Sequence, residues 1–525
     1  MIALPTLPNR ETLKNGILLL LVIPTLTFAW SLGNDFVDWD DPGLITENPI
    51  AHGISMENLK GAFTTYDPEL FVPHTIFSYQ VDYLIGGLHP FIYHFHNLLF
   101  HLLNVLLVAW LLYVLTGNKF LATFGGLLFA VHPLNVDAVV WASARKDLLA
   151  TTWFLGAIIA WLYARERRSA LLYGISIACF ASGLLGKVTI IVLPAILLLL
   201  AWRQEGKVRM KDIVNVWPYL ILCAIFAAIA VLGKATFVVN ASVLEAVLLG
   251  GKAVAFFVWK FLFPTGLSLL YPYTDPVTLA AWDLTGSLLM VIALTILAVL
   301  AARKGAKDVL IGWLWFLICL SPTFLFYRRG EHLGDIYVTS NHYFYLSGIG
   351  LILIASFAAS WLVRTYGKWM LRLCVLDIVI CSIASMYLSL AWKDTDMLFQ
   401  RVLRLYPNSQ IAHVTVGNMY QRQGDLEKAF THYQKALEIR PTSLAYFNMG
   451  NALLTINKPD EAIGANKRAI ALDPALAVAE VNMGVGYVKK NMFVEAAEAF
   501  RRALILDPNN QQALFNLKAV QNQTP

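Results

Sequence analysis

The chain is expected to be all-α: a bundle of about eleven membrane-crossing helices, then a solenoid of short paired helices. Two observations carry that expectation. Of its 525 residues, 58% are hydrophobic and only 14% charged, with a mean hydropathy of +0.60; a soluble domain is roughly half apolar and about a quarter charged. Beyond residue 391 the composition turns polar, and a pattern recurs every 33 or 34 residues.

A crossing needs about 20 consecutive apolar residues. Such stretches lie at 15–32, 93–115, 119–135, 147–164, 170–186, 188–202, 213–232, 283–302, 309–327, 343–363 and 371–391. The stretch 240–263 is also apolar but carries Lys252 and Lys260, and reads as an interfacial or re-entrant helix. The first stretch lacks a small-x-small cleavage site and reads as an uncleaved anchor.

Basic residues in short connections set the orientation. Arg10 and Lys14 precede the first crossing, and alternate later turns read "RERR" (165–168), "RQEGKVRMK" (203–211), "ARKGAKD" (302–308) and "RTYGKWMLR" (364–372). These belong on the cytoplasmic side. The first loop 33–92, the loop around 136–146, the loop 327–342 and everything after 391 then face outward. The +6 net charge flanks apolar segments rather than covering one soluble face, which argues against a nucleic-acid partner. The five cysteines all lie in apolar runs, as ordinary packing residues do, and suggest neither a disulfide framework nor a zinc site.

The polar tail is 392–525, against a membrane domain of 1–391. Its segments "EKAFTHYQKALEIRP" (427–441), "DEAIGANKRAIALDP" (460–474) and "VEAAEAFRRALILDP" (494–508) share one pattern, with Gly417, Gly450 and Gly484 and with Pro407, Pro441, Pro474 and Pro508 in register. The pattern resembles the tetratricopeptide repeat, in which small residues mark helix contacts and proline closes each unit. Ala429, Ala436, Ala462, Ala469, Ala496 and Ala503 occupy the contact positions. Three units and a leading half-unit (394–407) suffice for a stacked array. Such an array implies a protein or peptide partner along its concave face, or else a structural cap.

Candidate chemistry gathers on the outward side. In "NDFVDWDDPGLITENPI" (34–50), Asp35, Asp38, Asp40 and Asp41 crowd the end of the first crossing. His94, Asn97, His101 and Asn104 are spaced three, four and three apart, one polar stripe on a helix; interhelical hydrogen bonding suits the stripe better than metal ligation, and no metal site is assigned. "HPLNVDAVVWASARKDLL" (132–149) supplies His132, Asp137, Arg145, Lys146 and Asp147. Arg145 and Lys146 suit a lipid phosphate, because arginine holds phosphate bidentately. They equally suit interfacial snorkelling with an Arg145–Asp147 ion pair. "YRRGEHLGDIYVTSNHYFYLSGIG" (327–350) adds Arg328, Arg329, His332 and His342, with Tyr343 and Tyr345 placed as interfacial belt residues. An acid facing cations on one surface suggests group transfer from a lipid phosphate.

These segments, with "LFVPHTIFSYQVDYLIGGLHPFIYHFHNLLFHLLN" (70–104), "FPTGLSLLYPY" (263–273) and "HYFYLSGIG" (342–350) in this order before the repeats, resemble the transmembrane and tetratricopeptide-repeat O-mannosyltransferases, the TMTC family. The resemblance implies a GT-C-type glycosyltransferase fold, a polyprenyl-phosphate-linked sugar donor and a protein or lipid-linked acceptor; with the lipid-linked sugar phosphate as co-substrate and a monophosphate leaving group amid protein cations, no cofactor is expected. It maps the family's acidic pair onto Asp40 and Asp41, and a His-Pro…Glu…Gly-Arg segment onto His132, Pro133, Asp137 and Arg145. Asp137 replaces a glutamate and Ala144 a glycine. A late Arg-Tyr-x-Tyr-Leu-Pro motif becomes His342, Tyr343, Tyr345, Leu346 and Ser347, so Arg328 or Arg329 would have to supply the missing arginine.

On this reading Asp40, or else Asp41, takes the proton of an acceptor hydroxyl. Arg145, Lys146 and His342 hold the departing phosphate, Asp137 orients a cation or contacts the sugar, and the anomeric centre inverts without a metal. The competing classes are a lipid-linked sugar transporter or flippase, and a non-catalytic membrane anchor for the repeats. Short loops favour a bacterial inner membrane with periplasmic repeats over the endoplasmic reticulum with luminal ones.

Overall fold

A long apolar segment can satisfy its backbone inside a bilayer only as a helix. The computed structural model, which describes residues 10–66, 70–234, 242–273, 275–325 and 336–521, follows that rule. Among the described residues, eight helices are long and apolar enough to span a membrane: Lys14–Gly33, Pro90–Thr116, Ala142–Arg167, Val188–Glu205, Trp282–Arg303, Lys307–Phe324, Ile349–Tyr366 and Lys368–Trp392. The protein is a multi-pass membrane protein. Only two strands, Pro272–Tyr273 and Ile336–Tyr337, interrupt its helices among those residues.

The expected eleven crossings reduce to eight among the described residues, or nine if one bent helix pair is a single span, for local reasons. The 119–135 stretch does not run straight: Lys119–Val131 and Pro133–Val140 meet at 55°, because Pro133 lacks the amide that would continue the helix. Ala170–Leu184 stops at 15 residues, about 22 Å of rise and short of a ~30 Å hydrocarbon core. The 213–232 stretch is the shorter apolar helix Trp217–Gly233. The expected interfacial segment is a 20-residue helix, Val243–Leu262. Its Gly250 and Gly251 let Phe324 and the backbone of Leu288 come close, so it packs as a bundle helix despite Glu245, Lys252 and Lys260.

The chain divides into two compact units: the second is formed from Phe399 onward and also takes the short stretches Pro272–Tyr273 and Ile336 among the described residues. In the first, the segment after Gly33 is not a loose loop. It folds through Pro42–Thr46, Pro49–Ala51, Met56–Thr64 and Pro73–Gly86 around Leu44, Ile45, Ala51, Val72, Ile76 and Tyr79, all buried. Ala142 and Tyr93 belong to the same cluster. The acidic segment is thereby fastened to the top of the bundle.

The second unit holds the helix pairs Gln410–Arg422/Leu426–Ile439, Ser443–Thr455/Pro459–Leu472 and Ala477–Lys489/Phe493–Leu506, then Gln511–Gln521. All six contact-position alanines are fully buried. A Cβ on Gly417, Gly450 or Gly484 would strike Tyr433, Asn466 or Phe500, the same site in each repeat. The turns within the pairs use left-handed residues in register, Gly424 (φ 81°), Asn457 (φ 59°) and Asn491 (φ 60°), the types that tolerate this conformation best.

Gly484→Ala should therefore destabilise the repeat unit by about 1–3 kcal/mol through overpacking on Phe500. Gly464→Ala, in a helix interior with open space around it, should stabilise by up to ~1 kcal/mol. Thermal unfolding of the two full-length variants checks the opposite signs.

Candidate functional site

Asp41 stands at the start of the turn Pro42–Thr46, and its side chain folds inward. One carboxylate oxygen accepts from the Val37 amide at 2.8 Å. The other accepts from the Ser143 amide at 3.0 Å and from the Ser143 hydroxyl. Burial is the largest influence on this group and pushes its pKa up to about 6, although the three donors pull it down and the neighbouring Asp40 charge adds to the rise. Asp41 is thus a tie between the acidic segment and the turn Ala142–Ala144.

That tie aims the adjacent residues at each other. Asp40, 39% exposed at its side chain, lies 3.0 Å from the Lys146 ammonium, which is 4% exposed. Lys146 also sits over the Trp141 ring, 5.4 Å from its centroid. Next to it, Asp147 receives the Lys187 ammonium at 2.6 Å, and Lys187 lies 5.4 Å from the Tyr343 ring centre. His342 is buried, with Nδ1 2.9 Å from the Ser340 hydroxyl and its ring edge on to Trp141. Burial, then the charges of Lys187 and Lys146, hold His342 well below the usual imidazole range. It is neutral near pH 7 and offers hydrogen bonds rather than charge. Asp40, Lys146, Asp147 and Lys187, with His342 and Tyr343 beside them, thus form one cluster of alternating acids and bases from four distant segments.

Other expected site residues serve elsewhere. Arg145 is fully buried; its guanidinium pairs with Asp82 and donates to Asn97 Oδ1 and the Tyr93 carbonyl, each at 2.7 Å. It faces the framework, because a buried guanidinium needs a buried carboxylate and carbonyls to offset lost hydration. The alternative pair Arg145–Asp147 does not form: each residue has another partner. Asp137 accepts from Asn341 Nδ2 at 2.9 Å and from Trp392 Nε1 at 3.1 Å, bracing three segments. His132 caps its own turn through Leu134 and meets the Phe261 carbonyl at 3.1 Å. Tyr345, expected in the interfacial belt, is buried, 2.8 Å from His101 Nδ1. The stripe makes interhelical hydrogen bonds: Asn97 to the Trp141 carbonyl at 2.9 Å and Asn104 to the Leu148 carbonyl at 3.0 Å. Arg328, Arg329 and His332 lie outside the described residues.

Sequence reading missed Lys187 and Asp82. Lys187 had a signal: it is the lone charge between the apolar runs 170–186 and 188–202, on the outward side. Asp82 had little, since nothing in its neighbourhood announces a partner 63 positions later.

Comparison with known proteins adds a direction. The tetratricopeptide repeat family matches residues 409–475. The chain is 24% identical to human protein O-mannosyl-transferase TMTC1 over 497 residues, which cover 81% of the chain and 55% of that protein. It is 26% identical to human protein O-mannosyl-transferase TMTC2 over 154 residues, 29% of the chain and 18% of that protein. The chain thus spans about half the length, or less, of these curated relatives. Among solved structures, the second repeat domain of human RPAP3, in complex with an HSP70 peptide, is 28% identical. It covers 22% of this chain and 98% of that one, with a TM-score of 0.21. The resemblance to TMTC-type O-mannosyltransferases therefore rests on both the membrane and the repeat portions.

If Arg145 holds the framework, Arg145→Met should strip buried Asp82 of its permanent cation, leaving only the His96 imidazole at 2.5 Å, and cost about 3–5 kcal/mol. Asp82→Asn combined with Arg145→Met should recover part of that loss. Thermal unfolding of purified full-length variants measures it; a normally stable Arg145→Met protein would contradict this placement.

Proposed function

We propose that the protein is a membrane glycosyltransferase of the GT-C type. It would move a sugar, taken as mannose from the TMTC resemblance, from a polyprenyl phosphate to a hydroxyl of a protein acceptor. The observation that carries the reading is the Asp40–Lys146 pair: a part-exposed carboxylate beside buried cations at the start of the helix Arg145–Arg167.

A helix N-terminus favours anions, and Lys146 and Lys187, each paired with a carboxylate in the free protein (Asp40 and Asp147), would be shared with the phosphate in a place where little water screens charge. Those two lysines, with neutral His342 as a hydrogen-bond donor, replace Arg145 as the phosphate-binding group. Asp40 takes the proton of the acceptor hydroxyl. The acceptor oxygen bonds to the anomeric carbon from the face opposite the phosphate, and the carbon–oxygen bond to phosphate breaks. The electron pair leaves with the polyprenyl phosphate, and the anomeric centre inverts. The leaving group departs as an anion, so it needs charge stabilisation rather than a proton, and one carboxylate suffices where glycoside hydrolysis uses two. No metal or cofactor is assigned, since the protein's own cations stand where the phosphate charge would develop. Asp41 positions this base through its bonds to Ser143. The repeats would present the acceptor peptide. We place the protein in a bacterial inner membrane, with Asp40 and the repeats on the periplasmic side.

Asp40→Asn, at normal expression, should lower transfer from a radiolabelled polyprenyl-phosphate donor by about 10²–10⁴-fold, whereas unchanged turnover would remove the catalytic assignment and favour a membrane anchor. Lys187→Met should lower transfer by roughly ten- to a hundredfold, on the scale of a charged hydrogen bond. Activity should also fall as pH drops through about 6, where Asp41 gains a proton and loses acceptor capacity for the Ser143 and Val37 donors. Stability has the opposite sign for this group: raised from 3.8 to about 6, it contributes fully below 3.8 and its contribution is lost as pH rises through 6. A pH–rate profile of the reconstituted enzyme checks the acid limb.

A further inference from the structure

The helix Arg145–Arg167 has a second charged end. Nineteen residues beyond Lys146, a rise of about 28 Å, Arg165 borders a cleft of about 710 Å³ that is also lined by Trp161, Arg168, Tyr173, Glu205 and Lys211. By the distribution of basic residues this is the cytoplasmic end.

The walls of the cleft are fixed. Arg165 pairs with Asp212 and, at 3.0 Å, with Glu205, and its guanidinium lies 4.7 Å from the Trp161 ring centre. The Tyr173 hydroxyl donates to the Asn215 carbonyl at 2.7 Å. Charge does not balance there. Glu205 is met by Arg165, by Arg209 at 2.6 Å and by Lys211 at 3.8 Å; with Asp212 and Glu166, three carboxylates stand against these three cations, and Arg168 makes a fourth. Glu166 on the rim has interactions of its own. Arg168 stands at the left-handed end of its helix (φ 52°); it is exposed and makes no ion pair among the described residues. Ser169, which follows, caps the amide end of Ala170–Leu184, so the dipole of that helix also favours an anion here.

The rim has the opposite character. Leu171, Met210 and Val214, each next in the chain to a residue that lines the cleft, and Trp217, two residues beyond Asn215, are each more than 60% exposed, apolar side chains that a bilayer would cover. A cleft with one surplus cation, the exposed Arg168, and an apolar margin outside matches one class of amphiphile.

We infer that this cleft binds the phosphate headgroup of an anionic phospholipid of the inner leaflet, held by Arg168 and Lys211, with its acyl chains against Leu171, Val214 and Trp217. Basic pockets between membrane helices on the cytoplasmic side are suited to such headgroups, and phosphatidylcholine, with a cation of its own, fits poorly. The site is separate from the transfer reaction at the other end of the helix and stands whether or not that reaction is confirmed.

The test uses the full-length protein in a neutral detergent, with native mass spectrometry and thermal unfolding. Phosphatidylglycerol should remain bound as a single adduct and raise the unfolding midpoint by about 3 °C, while phosphatidylcholine does neither. The double variant Arg168→Gln, Lys211→Gln should lose the adduct and the shift. Arg168→Gln alone, a change at an exposed turn, should weaken the adduct about tenfold and serves if the double variant does not fold. Equal binding of both lipids, retention of the adduct by the double variant, an adduct of unchanged affinity in Arg168→Gln, or an equal midpoint shift from inorganic phosphate without lipid would overturn the assignment.

Discussion

A buried carboxylate joins the acidic segment to the rest of the membrane unit. Asp41 has no exposed oxygen to hydrate, so it depends on three donors, Val37 N–H, Ser143 N–H and Ser143 O–H. They do not fully offset the loss of water, since desolvation still dominates its pKa. The balance makes the tie costly to rearrange: an alternative position would leave a buried charge with fewer donors. The residue before it, Asp40, is therefore held with its carboxylate toward Lys146.

The same logic separates the framework charges from those free to meet a ligand. Arg145, Asp82 and Asp137 are buried and answered by protein groups on several sides, so their cost is met internally and little is left to offer. Asp40 keeps an exposed flank. Two residues adjacent in sequence can thus fall in different classes: Arg145 and Lys146 leave the first turn of one helix in different directions, toward Asp82 and toward Asp40. In a low-dielectric surrounding each cation is drawn to the carboxylate within reach, and the helical rotation of about 100° per residue decides which one that is.

The repeat unit is organised by volume rather than charge. Alanine at six positions and glycine at three bring paired helices to close contact, and Tyr433, Asn466 and Phe500 fill the equivalent space over each glycine. The middle repeat places an amide where its neighbours place rings. Asn466 donates its amide to the Ala462 carbonyl of the preceding turn at 2.9 Å, while its Oδ1 is buried without a partner, so the polar side chain is only half satisfied in this slot.

Sequence by itself determined the architecture. Hydropathy located the eight long membrane helices but over-read the bent 119–135 stretch and the shorter helices in 170–186 and 213–232, whereas the spacing of glycine, alanine and proline located every helix pair of the repeats, because that signal is local and recurs along the chain. It also found the acidic pair and Lys146. Tertiary structure alone decided what each charge does. It turned Arg145 and Asp137 into framework, made His342 neutral, took Tyr345 out of the interfacial belt and brought in Lys187 and Asp82. The reason is that a side chain's role in a dry interior is set by whichever opposite charge or hydrogen-bond partner the fold brings within about 3 Å. Such partners lie tens to hundreds of residues away in sequence, as Lys146 lies 106 from Asp40.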